Sequence, residues 1–424
     1  MTITMTAIRP VQLLVLCGLI LVFSMRPAVA EDKKDDMPAA ARITLAKAGK
    51  LMNDRDYEKA IALLADFQAK APAGGGGAEN TESGHAEILY ALGTCHLLQD
   101  HFQQAAQTLE RAVQHDPRHL SAWLNLAKAA YELSDYRKAA ECFARAYELG
   151  PEKNPEHLYF SAVVLFLAKQ NDQAVAAFER LLATTPDIRP EWRENLIHVL
   201  LAAGENHRAL PHIRSLAEEY RDDKQRQWQE ILLHHYLQLD MDVEALAYAE
   251  SLSAKSPAEP KWWRALAHIH LRHNRYQPAL TALLIAGYLE PLSDQESRLV
   301  ADLYLQLGVP VKAAALYQDI LSDKGNPQLL ANLVVALQQT GQAEEALTAL
   351  GKFAPETPGP ELAMLKADLL YGLGRYRTAA QLYRQTAESG GKEKARALRM
   401  AEYAKTRESF EYGGNERHRR GIAF

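Results

Sequence analysis

The sequence predicts an all-α fold built from a long array of antiparallel helix pairs. Apolar residues recur every three or four positions, which is the helical period. In residues 120–151 they outline two short amphipathic helices, with a turn at Ser134-Asp135 between them and Pro151 after them. Variants of this unit recur along almost the whole chain. Alternating Val, Ile and Thr runs, which are typical of strands, are nearly absent.

The unit at residues 120–151 resembles a tetratricopeptide repeat. The family places a large residue, a Leu and a small residue in the first helix, and Ala, an aromatic residue and Ala in the second, before a final Pro. Here these are Trp123, Leu126, Ala127, Ala139, Phe143, Ala146 and Pro151. The resemblance implies a right-handed superhelical solenoid, in which each helix pair packs on the next. It also implies a binding scaffold without naming a ligand.

Length and charge are consistent with this fold class. A chain of 424 residues is long for one compact core but ordinary for a solenoid. The net charge is -5 and the isoelectric point is about 6.3, which argues against a general nucleic-acid-binding protein.

The N-terminus predicts an export signal over residues 1–30, followed by a polar linker over residues 31–40. Arg9 precedes an apolar run, Val11 to Phe23, and Ala28-Val29-Ala30 forms a cleavage site of the A-x-A type. These features predict an exported, periplasmic protein. An uncleaved inner-membrane anchor, with the repeats facing the periplasm, is the alternative.

Residues 41–391 predict about ten repeats. The first, residues 41–72, is degenerate, and a Gly-rich loop follows it at 73–84. The second, third and fourth repeats end at Pro117, Pro151 and Pro186. Small residues such as Gly93, Ala127 and Ala267 are expected where helices pack closely, so a bulky replacement should overpack the array.

The fifth and sixth repeats match the pattern less well, because Trp192 and Trp228 are displaced by one residue from the usual large position. The seventh to tenth repeats recover it. A capping helix is predicted over residues 392–407, with a basic flexible tail at 408–424. Two cysteines within the repeats, Cys95 and Cys142, are expected to be buried free thiols.

The surface that the family uses for binding is the concave one, formed by the first helix of each pair. The resemblance implies that the second, fifth, ninth, twelfth and thirteenth places of a repeat face this groove. In repeats two to four the main residues at these places are apolar or aromatic, with one Lys: Tyr90, Leu97, Leu124, Lys128, Tyr131, Tyr159, Val163 and Phe166. Repeats five and six place acidic residues and His there: Glu191, Glu194, His198, Glu230 and His234. Repeats seven and eight are mainly basic: Lys261, Arg264, His268, Arg272, Arg298 and Asp302.

These residues predict a non-enzymatic scaffold or adaptor of the cell envelope that binds a peptide or helix of a partner protein. No catalytic motif, cofactor site or nucleic-acid-binding pattern is found. Tetratricopeptide repeats that bind a C-terminal carboxylate place Lys and Asn at matched groove positions of adjacent repeats. Lys128 has no such Asn in the preceding repeat, so this ligand is not predicted. One alternative is an accessory subunit of an envelope machine, in TonB–ExbB-type energy transduction, polysaccharide export or outer-membrane assembly. Another is a metal- or small-ligand-binding protein that uses His198, His234 and His268. The oligomeric state stays open.

Overall fold

The computed structural model describes residue 37 and residues 39–70, 85–321, 326–355 and 358–420, with side chains up to 410. The predicted export signal and Gly-rich loop lie outside these residues. The described part of the chain has no strand and contains 21 helices, so the all-α prediction is confirmed. The helices are α1 (Ala39–Asn53), α2 (Tyr57–Ala69), α3 (Ala86–Leu98), α4 (Phe102–His115), α5 (Leu120–Glu132), α6 (Tyr136–Leu149), α7 (Pro155–Leu167), α8 (Asn171–Thr184), α9 (Pro190–Ala202), α10 (Asn206–Glu219), α11 (Asp222–Gln238), α12 (Asp242–Lys255), α13 (Pro260–Arg272), α14 (Tyr276–Leu289), α15 (Asp294–Gln306), α16 (Pro310–Ile320), α17 (Pro327–Gln339), α18 (Ala343–Phe353), α19 (Pro360–Gly372), α20 (Tyr376–Glu388) and α21 (Lys394–Arg420).

The first twenty helices form ten successive pairs, and α21 follows them alone. No described helix is long and apolar enough to cross a membrane. The chain divides into two compact units, residues 1–228 and 229–424, with the boundary inside α11. Both units bury the small-residue face of their helices, including Ala127 and Ala146 in the first and Ala313 and Ala379 in the second.

Every helix pair is closed by the same turn. Three residues separate the two helices in all ten described pairs. The middle residue has a positive φ, and the third donates its N–H to the carbonyl five residues earlier, as Asp135 does to Ala130 at 2.8 Å. This hydrogen bond is that of a Schellman motif. The left-handed residues are Arg55, Asp100, Ser134, Lys169, Gly204, Asp240, Asn274, Gly308, Gly341 and Gly374.

Close packing explains why small residues recur at fixed places. A Cβ atom at Gly93 would lie 2.6 Å from Cγ of Leu109 on α4. Ala127 and Ala267 are fully buried in their own units. The large residue of the pattern also has a structural role, because the indole N–H of Trp123 donates to the carbonyl of Pro117 at 3.0 Å. Trp263 donates to Pro257 in the same way at 2.9 Å.

The end of the chain differs from the prediction in one respect. Helix α21 buries Ala397, Ala401 and Ala404 against α20, as a cap should. It does not end near residue 407 but continues to Arg420, so the expectation of a flexible tail from residue 408 is wrong for residues 408–420. Residues 421–424 lie outside the described chain.

The two cysteines are free and buried, as expected. Burial raises the pKa of the thiols of Cys95 and Cys142 to about 12. Both are therefore protonated at neutral pH, and they pack as small apolar side chains.

Candidate binding surface of the first helices

Four of the apolar residues predicted to face the groove are buried instead. Leu97, Leu124, Tyr159 and Val163 expose between 1% and 6% of their surface. They therefore belong to the core of the first unit, and the prediction that they form an exposed apolar stretch is wrong. The reason is that the facing helices of neighbouring pairs cover these places.

Tyr159 shows how this covering arises. Its ring stacks on Trp192 of the next pair, with the ring centroids 4.5 Å apart and the planes 9° from parallel. The guanidinium of Arg189 lies 4.5 Å from the centroid of the Trp192 ring. Asn195 donates to the Tyr159 hydroxyl at 2.9 Å, and burial raises the pKa of that hydroxyl. The displacement of Trp192 by one residue thus places its ring on Tyr159.

The remaining predicted residues of repeats two to four are partly exposed: Tyr90, Lys128, Tyr131 and Phe166. Tyr90 packs on His119 with ring centroids 4.6 Å apart, and Tyr131 packs on Tyr136 at 5.5 Å. Burial raises the pKa of both tyrosines. Lys128 forms no ion pair within the described residues. These side chains lie on α3, α5 and α7, the first helices of three successive pairs.

In repeat five the predicted acidic residue Glu194 already has partners within the chain. Glu194 is half-buried and accepts hydrogen bonds from the hydroxyl of Tyr220 at 2.5 Å and from Nζ of Lys224 at 2.7 Å. One turn later, burial lowers the pKa of His198, against the opposing effect of the Glu194 charge. Glu191 is exposed. This part of the surface is therefore a hydrogen-bonded cluster rather than a free acidic patch.

The predicted basic stretch of the second unit is neutralised by its own neighbours. Lys261 pairs with Glu230, and Arg264 pairs with Glu290 and also with Glu296, whose carboxylate lies 2.7 Å away. Arg272 lies 3.4 Å from Asp240 and 3.5 Å from Asp242. Arg298 lies 3.9 Å from Asp302. The mainly basic residues of repeats seven and eight therefore do not form a free basic patch, because acidic and basic side chains of this unit pair with each other.

The histidines provide no metal-binding set. His234 is half-buried and His268 is exposed. Among the described residues, no group of three or more His, Cys, Asp and Glu side chains is placed to hold a metal ion. The structure thus gives the metal-binding alternative no ligand set within these residues.

One column of hydrogen-bonding side chains was not predicted from the sequence. The sixth place of a first helix carries Asn125, Asn195 and Asn332 in repeats three, five and nine. Each amide donates to the first helix of the preceding pair: to Thr94 at 2.9 Å, to Tyr159 at 2.9 Å and to Asp302 at 3.0 Å. An alignment of the repeats with each other would show this recurring Asn. Each of these amides thus links two adjacent first helices by a hydrogen bond.

Comparisons with known proteins agree with this architecture. The tetratricopeptide repeat family matches residues 51–119, 90–154 and 124–188, and a second pattern of that description matches residues 304–369. Superkiller complex protein 3 of Mus musculus is 24% identical over 251 residues, which cover 58% of this chain and 14% of that protein. The chain thus spans far less than the whole length of this curated relative.

Solved structures that resemble the chain include a tetratricopeptide repeat protein from Parabacteroides merdae ATCC 43184. It is 18% identical with a TM-score of 0.35, and the match covers 63% of this chain and all of that one. The structure of Naa15/Naa10 bound to HypK-THB has a TM-score of 0.43 at 15% identity, covering 85% and 62% of the two chains. The MamA protein has a TM-score of 0.34 at 17% identity, covering 42% and 90%.

Proposed function

Because the chain is a tetratricopeptide-repeat protein, we propose that it is a non-enzymatic scaffold whose first helices hold a segment of a partner protein. The observation that carries this proposal is the set of partly exposed rings on three successive first helices: Tyr90 on α3, Tyr131 on α5 and Phe166 on α7. Aromatic side chains at a concave surface supply large contact areas at a low entropic cost. Lys128 lies among them and is free to pair with an acidic group of the partner.

The two units contribute unequally in this proposal. In the second unit Lys261, Arg264 and Arg272 are already paired with acidic neighbours. A charged partner would have to displace these ion pairs, so its gain there is small. We therefore assign most of the affinity to the aromatic residues of the first unit, and a smaller contribution to the charges of the second.

The test compares partner capture by the wild type with capture by the double variant Tyr131→Ala, Phe166→Ala. Crosslinked cell envelopes serve as the source of partners, and the captured proteins are quantified by mass spectrometry. We expect capture to fall by about tenfold or more, since a central aromatic contact contributes about 2 kcal/mol or more to binding. The control is Tyr288→Ala, Tyr403→Ala, which removes two exposed rings of the second unit. Equal capture by the two double variants would contradict the assignment to the first helices.

The cellular location of the protein is the second part of the proposal. The positive, apolar and A-x-A segments of residues 1–30 support export, with the repeats in the periplasm. Intact-mass measurement of the protein purified from cells is the test. A mature chain that begins at Glu31 supports the exported adaptor. A chain that retains the run Val11 to Phe23 and fractionates with the inner membrane would instead favour the accessory subunit of an envelope machine.

A further inference from the structure

A cleft in the first unit is not used by the surface described so far. It has a volume of about 280 Å³ and opens between the N-terminal ends of α5 and α7. Its walls are apolar: Leu120, Leu124, Phe143 and Phe160. A cavity of about 150 Å³ with such walls can hold benzene. The cleft is therefore large enough for one Leu, Met or Phe side chain.

His157 gives the cleft a feature that packing alone does not explain. This residue lies in the first turn of α7, lines the cleft and exposes only 7% of its surface. Its Nδ1 atom is buried and has no hydrogen-bond partner among the described residues. A buried polar atom without a partner costs about 1–3 kcal/mol, so native structures seldom keep one.

Two glutamates lie on the rim of the cleft. Glu152 is exposed at the rim. Asn154 and Glu156, in the same segment, also line the cleft. Glu156 is paired with Arg189 at 2.7 Å, which leaves Glu152 as the unpaired charge. The adjacent Lys153 keeps its positive charge, but its Nζ atom donates to the carbonyl of Glu148 and forms no ion pair with Glu152.

We propose that this cleft binds one apolar side chain of a partner segment whose adjacent residue is Lys or Arg. The apolar walls take the side chain, and Glu152 pairs with the adjacent cation. The proposal rests on the scaffold function, since it names the chemistry of the segment that the first helices hold. Leu124, expected from the sequence to lie on the groove surface, contributes instead to a wall of this cleft.

The test begins with a displayed library of random twelve-residue peptides, selected on the purified full-length protein. We expect enriched peptides to share an apolar residue next to Lys or Arg. Fluorescence anisotropy then measures the dissociation constant of one enriched peptide for each variant. Leu120→Trp should fill the cleft and weaken binding by about tenfold or more, and Glu152→Lys should weaken it several-fold at low salt.

Glu141→Lys is the matched control, since it makes the same charge change at an exposed position of α6 away from the cleft. Circular dichroism checks that Leu120→Trp folds, and Glu152→Lys tests the exposed rim independently. The cleft proposal would be overturned if the selection is empty or if the selected peptides lack the shared pattern. It would also be overturned if Leu120→Trp and Glu152→Lys both bind the enriched peptide as tightly as the wild type does. Partner capture lost in Tyr131→Ala, Phe166→Ala but kept in Leu120→Trp would leave the scaffold standing without the cleft. Capture kept in both would overturn the scaffold function at these helices.

Discussion

The two units fill the same place of a repeat with different chemistry. Four residues after the buried Ala of the second helix, repeat four of the first unit carries Phe178, whereas repeats eight and ten of the second unit carry Tyr317 and Tyr383. All three are fully buried. Tyr317 donates its hydroxyl to Asp302 at 2.5 Å, and Tyr383 donates to Asp368 at 2.6 Å.

Each carboxylate also accepts from the helix that follows its pair. Asn332 donates to Asp302 at 3.0 Å, and Arg396 of the cap donates to Asp368 at 2.7 Å. The ninth place that holds these Asp residues is Val163 in the pair of Phe178. Hence repeat four joins its helices by packing alone at this position, whereas repeats eight and ten add a part-buried polar contact across three helices. The helix-pair fold is the same in these repeats, but we expect their stability to respond differently to pH and to substitution.

The largest expected effect comes from moving the polar contact into the first unit. Val163→Asp places a carboxylate at a position that is 3% exposed, and we expect a loss of about 3–5 kcal/mol in the free energy of unfolding. Phe178→Tyr alone should cost about 1–3 kcal/mol for an unpaired hydroxyl. The double variant should recover about 1 kcal/mol or more of the summed loss, as urea unfolding would measure.

Val311→Asp is the control for this cycle, because Val311 is 67% exposed and the same substitution should change little there. If the losses of the two single variants simply add in the double variant, the new carboxylate and the new hydroxyl do not form a hydrogen bond. The distance between the side chains at these two places would then differ between the units.

The second prediction removes the polar contact from the second unit. Tyr383→Phe should lower the free energy of unfolding by about 2 kcal/mol, because a part-buried hydrogen bond to a charged group is lost. Tyr288→Phe, at a residue that is 92% exposed, should have no measurable effect. A Tyr383→Phe variant as stable as the wild type would mean that Arg396 satisfies Asp368 without the hydroxyl.

The third prediction concerns alkaline pH. Burial and the hydrogen bond to Asp368 raise the pKa of Tyr383, so the folded protein keeps the phenolic proton that the unfolded chain loses near pH 10. Stability from this group is fully present below about pH 10 and falls above it, by up to about 1.4 kcal/mol per pH unit. Tyr383→Phe should therefore show a shallower decline between about pH 10 and 11 in urea unfolding. Parallel curves would rule out this titration.

The smallest expected effect lies in the turns, which also differ between the units. The first four turns place Arg55, Asp100, Ser134 and Lys169 in the left-handed region, whereas the last three use Gly. Lys169→Gly, at φ 58°, should raise the free energy of unfolding by about 0.5–1 kcal/mol. Lys366→Gly, in the middle of α19, should lower it by about 1 kcal/mol. A destabilised Lys169→Gly variant would mean that its side chain contributes contacts of its own.

The sequence alone was sufficient for the helix pairs, their number and the buried small residues, because all of these follow from a pattern that repeats along the chain. Gly93 and Ala127 could be assigned to close helix packing from their places in the repeat. The same pattern could not give the burial of Tyr159 or the pairing of Arg264. Both depend on which residues of the next pair lie opposite, and the displacement of Trp192 by one residue changes that neighbour.

The length of the turns has a consequence for how this chain can vary. Within a pair, the connection is always three residues with one fixed left-handed position, so an inserted residue would rotate the second helix by about 100° and expose its Ala face. Between pairs, the connections range from the two residues after α10 to the longer stretch of sequence between α2 and α3, which contains Gly74 to Gly77. We therefore expect insertions and deletions to be tolerated between pairs rather than within them. New loops, and any specificity that they add, should accumulate at the connections between pairs within each unit.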